Sequence, residues 1–198
     1  HFDHVDGNLK LKKKYNSKIL GYESDKDRIP GIDILLKENQ IFKIAGLEFK
    51  VIFVPGHTSG HIAFYFNKEK ILFSGDTLFS LGCGKIFEGT YEDMFNSLNK
   101  LKNLPKETKI YCGHEYTKKN YDFCVKYEKN NLKLLNKLDW INRRTIEKLP
   151  TLPTSLEEEL ATNIFLRCDN IAVKKSLGMS NSSEELIFEK LRNLKDEF

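Results

Sequence analysis

The stretch Pro55-Gly56-His57-Thr58-Ser59-Gly60-His61 sets a histidine in a glycine-flanked loop directly after an apolar segment, residues 47–54. Two later stretches repeat the arrangement. Asp76 stands in Phe73-Ser74-Gly75-Asp76-Thr77 after residues 70–74, and His114 stands in Tyr111-Cys112-Gly113-His114-Glu115-Tyr116 after residues 109–112. Three ligand-type side chains, each just past a strand-like segment with glycine beside it, are what a sheet presents when it builds a site along one rim. A further group lies at the start, where His1-Phe2-Asp3-His4 puts three donors within four positions. Imidazole and carboxylate together suit a divalent transition ion, zinc above all.

Working outward, residues 40–44 and 47–54 flank Ala45-Gly46, and residues 61–66 and 70–74 flank Asn67-Lys68-Glu69; both pairs predict hairpins. Residues 5–14 read as a helix ending in the basic run Lys12-Lys13-Lys14, followed by a loop over 25–31. A helix over 91–104 and a strand over 109–112 complete an α/β body, residues 1–115. Beyond it the spacing becomes i, i+3, i+4 near 117–129, 131–149, 155–162 and 183–195, with Pro150 and Pro153 as breakers and Thr154 or Ser155 as a cap. Residues 116–198 therefore read as a helical domain.

Composition bounds the function. The 198 residues are 40% hydrophobic and 30% charged, enough for a packed core and unlike a disordered chain. No run approaches eighteen apolar residues, so no membrane span is expected. A net charge of +4 without an arginine-rich clamp argues against nucleic acid, yet would not repel an anionic metabolite. Cys83, Cys112, Cys124 and Cys168 read as reduced thiols of a reducing compartment, the cytoplasm. A monomer is expected, and a targeting leader ahead of His1 would not be visible.

At the ligand residues the chain resembles the metallo-β-lactamase superfamily. The last four positions of that family's signature T-H-x-H-x-D-H are matched by His1-x-Asp3-His4. The resemblance implies an αββα sandwich, N-terminally incomplete here, with a C-terminal helical domain. It implies two divalent ions, zinc first, with iron or manganese also suited. One ion takes His1 and His57, the second takes Asp3, His4 and His114, and Asp76 bridges them; His61 falls outside the ligand set.

Within the superfamily, Gly75-Asp76-Thr77-Leu78-Phe79, Gly82-Cys83-Gly84-Lys85-Ile86-Phe87-Glu88-Gly89-Thr90 and Tyr111-Cys112-Gly113-His114-Glu115-Tyr116-Thr117 are similar to the glyoxalase II family. So are Pro153-Thr154-Ser155-Leu156, Asn163-x-Phe165-Leu166-Arg167 and the stretch from Arg192 to Phe198. The likeness implies hydrolysis of glutathione thioesters, S-D-lactoylglutathione to D-lactate and glutathione, by a metal-bound hydroxide that Asp3 orients. It carries glutathione binding onto Lys85, Phe87, Tyr116, Arg192 and Lys195. Phe87 departs from the family, which more often has tyrosine there. A persulfide dioxygenase with one iron, or a shortened non-catalytic metal- and glutathione-binding module, are the competing readings. The expectation is that an ordinary enzyme of this family carries strands and a further histidine ahead of His1.

Overall fold

In the computed structural model, which describes residues 1–198, α1 (Phe2–Val5) and α2 (Asn8–Tyr15) precede β1 (Leu20–Tyr22) and β2 (Ile34–Leu36). Next come β3 (Ile41–Ile44), β4 (Leu47–Phe53), β5 (Ile62–Phe66), β6 (Ile71–Gly75), β7 (Leu78–Phe79) and β8 (Gly82–Cys83). Helix α3 (Tyr91–Lys102) and β9 (Lys109–Cys112) lead into α4 (Thr117–Tyr127), α5 (Leu132–Leu135) and α6 (Lys137–Ile146). The chain ends through β10 (Thr154–Ser155), α7 (Leu156–Thr162), α8 (Ile171–Ser176) and α9 (Glu184–Asp196).

Both expected hairpins form. Strands β3 and β4 pair antiparallel across Ala45 and Gly46, whose φ values of 49° and 80° are the positive angles that a two-residue turn needs to match strand twist. Six strands make one sheet in the order β10-β9-β6-β5-β4-β3. From β3 to β6 each pair is antiparallel, whereas β9 lies parallel to β6. Strands β4, β6 and β9 therefore point the same way, and their C-terminal ends open on one rim.

The strand period of two divides the sheet into two apolar faces. Ile52, Val54, Ala63, Tyr65, Leu72 and Ile110 face the helices and join one core with Met94, Leu98, Phe123, Phe165 and Phe188. That core draws on residues from both 1–115 and 116–198. Phe49, Val51, Phe64 and Phe66 line the other face, covered by Leu20, Ile34 and Leu36 of the parallel pair β1–β2. Tyr22 of β1 stacks on Phe53 of β4 at 4.5 Å between ring centroids. The Lys12 ammonium of α2 donates to the Gly31 carbonyl at 2.8 Å and pairs with Asp33 at 2.7 Å, so α2 is tied to the segment joining β1 to β2. The layers are those of the expected sandwich. No helix is long and apolar enough to cross a membrane.

Several local readings change. The single helix expected over 5–14 is two helices separated at Asp6 and Gly7. The helix expected over 131–149 divides at Asn136, which ends α5 and begins α6. Strand β10 leaves the helical region to pair with β9, Thr154 opposite Ile110.

The loop between β6 and α3 has little regular structure, and buried polar groups of the helical region hold it. The Leu81 N–H donates to Glu159 Oε2 at 2.7 Å. Asn163 Nδ2 donates to the carbonyls of Phe79 and Gly82 at 3.2 and 3.0 Å, and Asn120 Nδ2 to that of Ser80 at 3.0 Å. Glu159 is fully buried, and burial raises its pKa above the usual carboxylate range even though Thr154 and Asn163 also donate to it. Removing it leaves buried donors without partners, at about 1–3 kcal/mol each. Glu159→Ala is expected to lower the unfolding free energy by about 3 kcal/mol, read as a shifted urea midpoint at unchanged slope.

Candidate metal centre

Each of the three rim loops is shaped before it is functional. The loop after β4 is closed by the Val54 N–H donating to the His61 carbonyl at 2.9 Å. Gly56, at φ 139°, lies where a Cβ would sit 2.7 Å from that of Met94, so only glycine lets the loop settle on α3. His57 is buried, and its Nδ1 donates to the Lys85 carbonyl at 2.7 Å, which leaves the Nε2 lone pair facing the rim.

After β6, the Asp76 N–H donates to His61 Nε2 at 3.0 Å. Burial, with His57 beside it, lowers the His61 pKa to about 4, so this imidazole stays neutral and able to accept. His61 thus supports the backbone of Asp76. After β9, the Gly113 N–H donates to the Gly75 carbonyl at 2.9 Å, and the His114 ring stacks on Tyr116 at 5.1 Å. Helix α1 brings His1, Asp3 and His4 over the same rim.

The Nε2 atoms of His4, His57 and His114 each lie 3.3 Å from Oδ2 of Asp76. His1 Nδ1 is 3.1 Å from His57 Nε2, and Asp3 Oδ2 is 3.2 Å from His114 Nε2 and 3.5 Å from His4 Nε2. The six residues named from the sequence are thus brought together in two groups. His1 and His57 form one, Asp3, His4 and His114 the other, and Asp76 Oδ2 lies between them.

The chemistry of this donor set fits divalent cations. Nitrogens of three imidazoles converge on one carboxylate oxygen, and Asp76 Oδ1 is buried without a hydrogen-bond partner. Such a group is costly unless positive charge meets it, and nitrogen with oxygen donors selects a divalent transition ion. Two glycines make room. A Cβ at Gly113 would lie 2.3 Å from Asp76 Oδ1 and 3.1 Å from His4 Cε1, and one at Gly84 would lie 1.9 Å from the Asp76 carbonyl oxygen. Glycine beside a candidate ligand marked Gly113 in the sequence, whereas Gly84, between Cys83 and Lys85, carried no such signal.

Of the residues assigned to substrate, Phe87 is exposed and sets its ring edge-on to His1 and His57 at 5.2 and 5.3 Å. Lys85 is exposed, with its ammonium 5.7 Å from the centre of that ring. Tyr116 is half exposed beside His114. The Lys195 ammonium lies between the rings of Phe123 and Phe198 at 5.0 and 4.9 Å. Burial, with Arg192 and Lys119 nearby, lowers its pKa to about 8.

Arg192, to which the resemblance carried glutathione binding, is only 4% exposed. Its Nη1 donates to the Cys83 and Gly84 carbonyls at 3.0 and 3.4 Å, and its Nη2 pairs with Asp196 at 2.9 Å. The planar fork donates to the carbonyls at the end of β8 and just beyond it, so the charge supports the segment leading to Lys85. A second network escaped sequence reading because its members are far apart in the chain. Glu88 accepts from the Ser59 N–H at 2.8 Å and from Arg28 Nη1 at 2.6 Å, and Arg28 next to it lowers its pKa to about 2.

Residues 1–114 match the family described as the metallo-beta-lactamase superfamily, and residues 115–198 match the hydroxyacylglutathione hydrolase C-terminus. A hydroxyacylglutathione hydrolase of Pelagibacter ubique (strain HTCC1062) is 51% identical over 198 residues, covering all of this chain and 77% of that one. Among solved structures, ETHE1 from Myxococcus xanthus aligns with 98% of this chain and 65% of its own at a TM-score of 0.64 and 21% identity, a likeness of fold alone. TTHA1623 in a di-iron-bound form aligns with 58% of this chain and 65% of its own at a TM-score of 0.50 and 29% identity.

The room left by Gly113 makes the ligand geometry testable. Gly113→Ala drives a methyl into Asp76 and His4 and is expected to lower affinity for divalent ions by at least about tenfold, the scale on which displaced ligand supports act. Competition with a chromophoric chelator measures it.

Proposed function

The chain belongs to the hydroxyacylglutathione hydrolase family of the metallo-beta-lactamase superfamily, and we propose that its rim site hydrolyses S-D-lactoylglutathione to D-lactate and glutathione with two divalent ions. The observation carrying this reading is Asp76 Oδ2, 3.3 Å from three imidazole nitrogens, on a carboxylate whose other oxygen is buried and unpaired. His1, His57 and Asp76 would hold one ion, and Asp3, His4, His114 and Asp76 the other. Bound there, such ions acidify water and polarise a carbonyl oxygen. The donor set favours zinc and also admits iron, the metal named for TTHA1623.

The chain's own groups do the rest. Lys85, through its carbonyl, keeps His57 in the tautomer that faces the rim. Asp3, half exposed on the open side of its group, orients the attacking water. The leaving thiolate of a thioester is stable without a proton, so no strong acid is needed at sulfur. Lys85 and Lys195 supply positive charge for the glutathione carboxylates, and Tyr116 and Phe87 flank the tripeptide, Phe87 through its ring face alone. We assign the metal centre to residues 1–115 and the helical part of substrate binding to 116–198. The four cysteines, none of them joined in a disulfide, fit a reducing cytoplasm, and we assign a monomer.

The zinc-loaded protein is expected to hydrolyse S-D-lactoylglutathione, to lose the activity to a chelator and to regain it with zinc; absence of turnover with both ions bound overturns the reading. Asp76→Ala is expected to empty both positions by elemental analysis, whereas His57→Ala weakens one. Two ions retained per chain in the Asp76 variant would refute the bridging assignment.

A lysine with a lowered pKa loses its charge as pH rises through that value. Lys195 is protonated below pH about 8 and neutral above it, so kcat/KM for the anionic substrate is expected to fall on an alkaline limb near pH 8. Lys195→Arg should move that limb beyond pH ~10, since arginine keeps its proton. A limb unchanged by the substitution would place the titration elsewhere.

A further inference from the structure

The loop carrying His57 and the loop carrying Lys85 and Phe87 run side by side for several residues. Backbone bonds join them where the Phe87 N–H donates to the His57 carbonyl at 3.3 Å and the Gly89 N–H to the Gly56 carbonyl at 3.1 Å. His57 Nδ1 adds a third rung to the Lys85 carbonyl at 2.7 Å. Beyond these rungs lies a side chain that the ligand set and the substrate contacts do not use, Glu88.

We propose that Glu88 is a positioning residue: its carboxylate clamps the His57 loop to the Lys85–Phe87 loop, with Arg28 orienting it. The proposal rests on the site reading above. Glu88 Oε2 accepts from both the N–H and the hydroxyl of Ser59, at 2.8 and 3.0 Å. Glu88 Oε1 accepts from Arg28 Nη1 at 2.6 Å, and Arg28 Nη2 is held by Asp25 at 2.7 Å. The carboxylate of Asp25 lies against Gly60, where a Cβ would be 2.2 Å away, so the far end of the network closes on the same loop. Both oxygens of Glu88 are engaged, by donors from two segments distant in the chain.

The clamp sits one residue from Phe87, whose ring abuts His1 and His57, and three residues from Lys85, whose carbonyl orients His57. Releasing it frees both at once. The same side chain therefore couples the hold on one ion to the grip on substrate, while Asp3, His4 and His114 receive no contact from it.

The test uses the full chain with zinc as the probe. Glu88→Gln puts an amide N–H where Arg28 or Ser59 already donates, and is expected to weaken the ion of the His1–His57 group roughly tenfold, as loss of a ligand support does. The ion of the Asp3–His4–His114 group should bind as before in a stepwise chelator competition. KM for the thioester is expected to rise roughly tenfold, the scale of a charge-assisted hydrogen bond, with kcat within about threefold. Arg28→Gln should act in the same direction, and the double variant should be no worse than the stronger single one. Glu48→Gln, on β4 and paired with Lys43, serves as the control and should change nothing.

Unchanged affinity and KM, equal weakening of both ions, or additive losses in the double variant would each overturn the proposal. If Glu88→Gln does not fold, Arg28→Gln at the half-exposed end of the network decides the question by the same measurements. A wild-type protein that binds two zinc ions yet leaves the thioester intact sinks the hydrolase reading, while stepwise zinc binding still tests Glu88.

Discussion

Asp76 Oδ2 is a buried carboxylate oxygen facing three imidazole nitrogens at 3.3 Å, and its partner Oδ1 has no donor. An arrangement of that kind is stable only where positive charge arrives and where the surrounding backbone prevents relaxation. The rest of the chain supplies the second condition. Strands β4, β6 and β9 end on the same rim because one antiparallel strand separates the first two and the third is parallel to the second. Three donors from distant parts of the chain are thereby delivered side by side, with Gly84 and Gly113 giving the carboxylate the space it occupies.

Rigid strands alone would leave the segment that follows Asp76 free to swing. The helical region removes that freedom through buried polar groups, not through apolar contact alone. Glu159, Asn163, Asn120 and Arg192 each engage the backbone between Phe79 and Gly84. A loop with few internal hydrogen bonds must find its partners elsewhere when buried, and here they are side chains of α4, α7 and α9 and of the turn after α7. The sheet rim and the C-terminal helices are consequently parts of one hydrogen-bonded body.

His57, Asp76 and His114 were legible as candidate ligands because each follows an apolar segment and stands beside glycine, and His1, Asp3 and His4 because three donors fall within four positions, patterns local enough to read from the chain. Both hairpins were legible for the same reason, Ala45-Gly46 and Asn67-Lys68-Glu69 being turn chemistry between alternating strands. Strands β1 and β2 were not, since three residues carry no measurable period and their pairing depends on burying Phe49 and Val51 of another strand. The break at Asn136 was hidden because apolar spacing continues through it. Arg192 was legible as a cation and not as a buried one: only the fold reveals that the carbonyls of Cys83 and Gly84 lie in reach. The pairing of Arg28 with Glu88, likewise, has no local signature at all.

The anchoring of the 79–84 loop by α7 and α9 also orders events in folding. Glu159 reaches back 78 positions to Leu81, and Arg192 reaches back 109 to Cys83. Contacts of such separation form after local ones, because the intervening chain must first be closed at an entropic cost. The sheet and its hairpins can therefore assemble while the loop above the metal site is still without its anchors. Its set of anchors is complete only when α7 and α9 have docked. A nascent or partly folded chain would present the histidines before it presents a cavity able to hold an ion in register, so metal capture and completion of the helical region are expected to be a single late event.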